Sequence, residues 1–185
     1  LEGSIGLAPI WAGLALATLT IGWPIAASLS GRLYLRIGFR ATTIVGGVIL
    51  VAAAVALAAL AGIPSPWIVG ALCLLVGLGF GFTAVPSVVA AQASVDWSER
   101  GVVTGAQMFS RSIGQAIGAA VLGALANATV DATGGDASDP ATIVSASQVV
   151  FVGTAVLAVL VLVAALAMPR DRGAHAPQPA PAEAG

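Results

Sequence analysis

Apolar residues fall into five long blocks, separated by short polar or arginine-bearing segments. The longest uncharged interval covers 55 residues between Arg40 and Asp96, and Gly62-Ile63-Pro64-Ser65-Pro66 interrupts its middle. A bilayer core of about 30 Å takes about 20 apolar helical residues to cross, so this interval predicts two crossings joined by a tight proline-containing turn. The same reading of the whole chain predicts spanning helices over residues 8–30, 41–62, 67–91, 103–127 and 147–168. Helix follows because lipid offers no water to satisfy backbone N–H and C=O groups. The alternating segments of about 10 residues that mark a membrane barrel are absent. The expected fold is an all-α integral membrane protein, with residues 1–168 as its transmembrane domain. Pro169-Arg170-Asp171-Arg172 ends the last block, and the Pro/Ala-rich stretch from His175 to Gly185 predicts a disordered cytoplasmic tail over 169–185.

The arginines give the orientation. Arg32, Arg36 and Arg40 lie between the first and second blocks, Arg100 between the third and fourth, and Arg170 and Arg172 after the fifth. The other connections hold none; Asp131, Asp136 and Asp139 are the only charges in 128–146. Arginine on alternate connections is the positive-inside pattern, which puts the N-terminus outside and the C-terminus in the cytoplasm of a cell inner (plasma) membrane. Trp11 and Trp67 fall near the outer boundary and Trp97 near the inner one, where indoles prefer to sit. An odd number of crossings that starts outside predicts the end of a longer protein whose earlier helices are missing.

Composition agrees: apolar residues make up 58 %, charged residues 8 %, and mean hydropathy is +1.02, more than the interior of a soluble domain can hide. Net charge is −1 and lysine is absent, which argues against a nucleic-acid surface. The single Cys73 and single His175 offer no metal or redox constellation, so no cofactor is expected. The opening Leu1-Glu2-Gly3-Ser4 is not a signal peptide. No histidine or acid pair lies near a membrane face; Asp96 and Glu99 share a short loop and read as solvated. An enzyme is therefore not expected.

The second and fifth blocks are nearly pure Ala, Val, Leu and Ile, whereas the others carry polar groups. Bland helices three apart suggest a three-helix repeat of the kind secondary transporters use. Arg111 lies about 15 Å into the fourth block at 1.5 Å per residue, and burying it there costs ~2.5–3.5 kcal/mol. Gln107, Arg111 and Gln115 recur every fourth residue and share a face. Either they line a substrate cavity, or Arg111 snorkels to headgroups while the glutamines bond neighbouring helices. Gln115, a turn deeper, favours the cavity. Gly77, Gly79 and Gly81 before Pro86 serve either packing or flexing of the third helix. Gly114 and Gly118 form a small-xxx-small packing pattern. Aspartate and glutamate are confined to loops and termini, so this stretch supplies no proton-carrying carboxylate.

Two segments resemble a known family. Gly31-Arg32-Leu33-Tyr34-Leu35-Arg36-Ile37-Gly38-Phe39-Arg40 is similar to the cytoplasmic loop signature of the major facilitator superfamily. Glu99-Arg100-Gly101, Phe109-Ser110-Arg111-Ser112-Ile113-Gly114 and Gly118 resemble the penultimate helix of its fourteen-helix drug:proton antiporter branch. The likeness spans residues 8–168 and implies a partial carboxy-terminal half, lacking the first of its six helices. It implies transport of small molecules, by proton-coupled efflux of amphipathic drugs or metabolites. Gly31, Arg32, Arg36, Gly38 and Arg40 would then form the gating loop. Leu35 stands where the signature has an acid, which removes one charge from that network. The arginines remain suited to lipid phosphates or to carbonyls at helix ends. Implied partners are membrane lipid, a small-molecule substrate and the missing N-terminal helices. The rival reading is a five-helix subunit, or a unit of another carrier, without autonomous transport.

Overall fold

A computed structural model describes residues 9–60, 65–133 and 139–168. The expected tail, the termini and loops carrying Glu2, Asp136, Arg170 and Arg172, residues 61–64 of the expected turn and the side chain of Trp11 lie outside that description. The described residues form five long helices: α1 Pro9–Ile37, α2 Phe39–Ala59, α3 Pro66–Ala93, α4 Arg100–Thr133 and α5 Pro140–Ala167. A short 3₁₀ turn, Trp97–Glu99, precedes α4. Four segments, Phe39–Ala59, Pro66–Ala93, Trp97–Thr133 and Ala141–Ala167, are long and apolar enough to cross a membrane.

The described residues of every apolar block are helical, apart from Leu60 and Met168 which cap α2 and α5, but several helices outrun their blocks. Helix α1 continues through Arg32, Tyr34 and Arg36, so the expected loop is helical except at Gly38. Helix α5 begins seven residues before the predicted start at 147, and its added first turns contain the buried Thr142 and Ala146. Hydropathy marks where a helix meets lipid; the hydrogen-bond ladder runs on into polar residues that can still sustain it.

Spatial neighbours differ from chain neighbours. Helix α3 packs most extensively on α1 and next on α2, which also packs on α5, and α5 carries α4; α1 and α2 share little contact. Glycines set the close approaches. A Cβ added at Gly77 would strike the Leu19 carbonyl of α1, and one at Gly81 would strike Ala26 Cβ and lie 2.8 Å from the Trp23 carbonyl. Gly79 turns the other way, where a Cβ would fall 2.7 Å from Leu50 Cγ and 3.1 Å from the Gly46 carbonyl of α2. Gly47 of α2 faces Leu162 of α5, and Gly153 of α5 faces Leu122 of α4. Small residues let helix backbones approach where lipid gives no hydrophobic drive to associate. The small core sits between α2 and α5, where Leu50, Ala54 and Ala158 pack together with Val76 of α3 at their edge. Thr18 Oγ1 donates to the Gly70 carbonyl at 2.9 Å, tying the first half of α1 to the start of α3.

Gly38 alone joins α1 to α2. Its φ of 87° and ψ of 162° belong to a region that side-chain-bearing residues avoid. Its N–H closes α1 on the Tyr34 carbonyl at 2.9 Å, and its carbonyl accepts from Thr42 N–H at 3.2 Å and Thr42 Oγ1 at 2.9 Å. The rings of Tyr34 and Phe39 stack across the joint at 4.8 Å.

Candidate functional site

Helix α4 carries Gln107, Arg111 and Gln115, and no residue of it is buried. Arg111 and Gln115 are exposed, while Gln107 is half-buried, its Oε1 lacking a hydrogen-bond partner among the described residues. The Arg111 guanidinium lies over the ring of Trp23 on α1, 5.3 Å from its centroid. An indole face attracts a cation through its quadrupole, so this contact bridges the two polar helices α1 and α4. The three α4 residues thus share an open side of the bundle, with one of them held against α1. Gly114 and Gly118 lie on the same helix with nothing within 4 Å of an added Cβ, so they mate with no described helix.

The arginine-bearing end is built differently. Gly31 lies within α1 with open space beside it, and Arg32 and Arg36 are exposed. Arg40 reaches from the first turn of α2 to α5, where Nη2 donates to the Leu166 carbonyl at 2.7 Å. That carbonyl is one of the four that a helix end leaves without an internal partner. Arg40→Ala removes this donor and is expected to lower stability by about 1–2 kcal/mol. Thermal unfolding in detergent, followed through the thiol of Cys73, checks it; an unchanged midpoint would make the contact incidental. Between α3 and α4, Gln92 Nε2 donates to Thr104 Oγ1 at 2.8 Å, and Thr104 Oγ1 donates to the Arg100 carbonyl at 2.7 Å. Gln92, Trp97, Arg100, Gly101, Thr104 and Gly105 line an open cleft of about 440 Å³ there.

Pro86 is buried within α3. Thr83 Oγ1 donates to the Gly79 carbonyl and Ser87 Oγ to the Ala84 carbonyl at 2.8 Å, so side chains supplement the ladder around the proline. The described residues contain no cluster of metal-ligating side chains.

The sequence profile of the Major Facilitator Superfamily matches residues 2–119, well over half of the chain. The chain belongs to the Major Facilitator Superfamily. It is accordingly a multi-pass membrane protein of a transporter family. Both segments that carry the resemblance, the arginine end of α1 and α2 and the first half of α4 through Gly118, fall inside the matched residues. Over 128 residues the chain is 29% identical to the "Multidrug transporter protein MdtP" of Bacillus subtilis (strain 168). The aligned stretch covers 69% of this chain and 24% of that relative, so the chain spans about a quarter of its length. No solved structure matches.

Within this superfamily member, sequence reading missed Trp23 and the cleft at Gln92, Arg100 and Thr104. Trp23 stands in an apolar block without a spacing that marks it. Trp97 beside Arg100 was the available signal for the cleft: a guanidinium three residues after an indole on one turn permits stacking.

Proposed function

We propose that this chain forms most of the carboxy-terminal half of a longer transporter that exports amphipathic small molecules in exchange for protons. Five helices cross the inner (plasma) membrane, with the N-terminus outside and the C-terminus cytoplasmic. The unburied polar side of α4 carries this reading. Arg111 and Gln115 are exposed there, Gln107 is half-buried with its Oε1 unpartnered among the described residues, and Trp23 of α1 covers only one side of the Arg111 guanidinium. A polar side is tolerated in lipid where it faces protein or a wet cavity, and helices upstream of Leu1 would supply the opposite wall. The described relative, about three times as long and named a multidrug transporter, supports the same view.

Gly31, Arg32, Arg36, Gly38 and Arg40 lie at the cytoplasmic end in this arrangement. There the single-residue joint and the Arg40–Leu166 contact couple α1, α2 and α5 as the two halves rock. Gly77, Gly79, Gly81 and Pro86 hold α3 to its neighbours while locally weakening its ladder. Gly114 and Gly118 leave room for a backbone from the missing helices.

Everted membrane vesicles test the proposal. Vesicles with this chain alone are expected to show no proton-driven dye accumulation. Vesicles with the chain extended through the reading frame upstream of Leu1 are expected to show it, and Gln107→Ala with Gln115→Ala to alter which dyes are moved. Pumping by the 185-residue chain alone, or an extended chain inert towards every dye under a proton gradient, would overturn it.

A further inference from the structure

Two guanidinium groups of α4 rest on indole rings. Arg100 lies 4.9 Å from the centroid of Trp97, and Arg111 lies 5.3 Å from that of Trp23. The arginines are eleven residues apart on one helix, close to three full turns and about 16 Å. They therefore stand on one side of α4, one at its arginine-side mouth and one at membrane depth. Met108, exposed, lies between them along the helix and flanks that side. At the mouth, Arg100 lines the open cleft, and its Nε is buried without a hydrogen-bond partner among the described residues.

The charges do not balance inside the membrane. No Asp or Glu occurs between Glu2 and Asp96, between Glu99 and Asp131, or between Asp139 and Asp171. The apolar blocks of this chain thus hold a deep guanidinium and no carboxylate; on α4 itself the nearest acid is Asp131, twenty residues beyond Arg111 in the last turn. Trp23 covers a face of that guanidinium, and a face-on ring leaves the N–H edge for an acceptor. A carboxylate or sulfonate docks on that edge with paired, charge-assisted hydrogen bonds. Asp96 and Glu99 beside the mouth are exposed, where solvent and salt weaken their repulsion of an incoming anion.

We infer that the molecule moved along this face is an anionic amphipath: an organic acid whose charged group meets Arg100 and then Arg111 while its apolar body lies against the indoles and Met108. This rests on the transport reading above and adds the sign of the substrate's charge. Membrane phospholipid phosphate is the other source of the same chemistry, and the test separates the two.

The probes are naphthoate, naphthylmethanol and naphthylmethylammonium, which share a ring system and differ in charge. Their binding to the purified chain in phosphatidylcholine nanodiscs is measured by calorimetry. Naphthoate is expected to bind about tenfold more tightly than the alcohol, the scale of one charge-assisted hydrogen bond. Arg111→Gln should erase that preference and Arg111→Lys keep most of it. Trp23→Leu should weaken naphthoate binding, while Trp23→Phe retains it. Equal or tighter binding of the ammonium probe, or unchanged naphthoate affinity in Arg111→Gln, overturns the inference and leaves the transport reading standing. Displacement of naphthoate when phosphatidylglycerol replaces part of the phosphatidylcholine assigns the guanidinium groups to lipid and also overturns it. Binding of none of the three overturns the inference, and the transport reading is then judged by the vesicle assay alone.

Discussion

A valine in place of Gly77 is expected to pry α1 from α3 and to destabilise the protein by about 3 kcal/mol or more, the upper end for overpacking. The added Cβ would meet the Leu19 carbonyl, with Gly22 Cα and the Leu19 carbonyl carbon each 3.1 Å away. All three are backbone atoms and cannot rotate aside. Gly22 presents the reciprocal case, where a Cβ would lie 2.6 Å from the Leu74 carbonyl and 3.2 Å from Gly77 Cα. Cys73, one turn before Gly77 and half-buried, is the only cysteine, so a thiol-reactive dye reports directly on loosening of α3. The dye should react about 10 °C earlier on heating in the Gly77→Val protein. Gly114→Val is the control: nothing lies within 4 Å of that position, and its midpoint should stay near wild type. Coincident melting of Gly77→Val and wild type would mean that α1 and α3 do not approach so closely.

The joint at Gly38 should respond almost as strongly. At φ 87° and ψ 162° a Cβ crowds the neighbouring backbone, and residues forced there cost of order 1–3 kcal/mol. Gly38→Ala is expected to lower stability by that amount. Gly38→Asn should fare no better, because asparagine tolerates the left-handed helical region near ψ 47° and not this more extended one. Gly31→Ala, in the helical body of α1 with open space around it, should instead be neutral or favourable by up to ~1 kcal/mol, since alanine is the better helix former. A Gly38→Ala protein as stable as wild type would place the bend elsewhere.

Much of the fold was legible because lipid imposes a composition that few other environments demand. Each apolar block had to be a helix, and the described residues of each are helical almost throughout. The edges were less legible. Arg32 and Arg36 looked like loop residues, yet helix α1 extends through them to Ile37, since guanidinium groups at a membrane boundary need no break in the backbone. For Gly77, Gly79 and Gly81 the sequence permitted packing or flexing alike. The coordinates add which neighbour each one faces: α1 for the first and third, α2 for the second. At the candidate site, Arg111 stood out through the cost of placing a charge at that depth. Its companion Trp23 did not, because their meeting depends on how α1 and α4 lean together, and no local spacing encodes that. The same holds for Arg40 and the Leu166 carbonyl, which lie at opposite ends of the chain. Pairings between distant segments are the part of the structure that periodicity cannot express.

The exchange of neighbours, with α3 rather than α2 lying along α1, bears on biogenesis. Transmembrane segments leave the ribosome in numerical order, so the first two enter the bilayer joined end to end but with little surface in common. Their notches at Gly22 and Gly46 both await the third segment. Release of a nascent polypeptide before that segment emerges would leave both notches open to lipid, ready prey for membrane quality-control proteases.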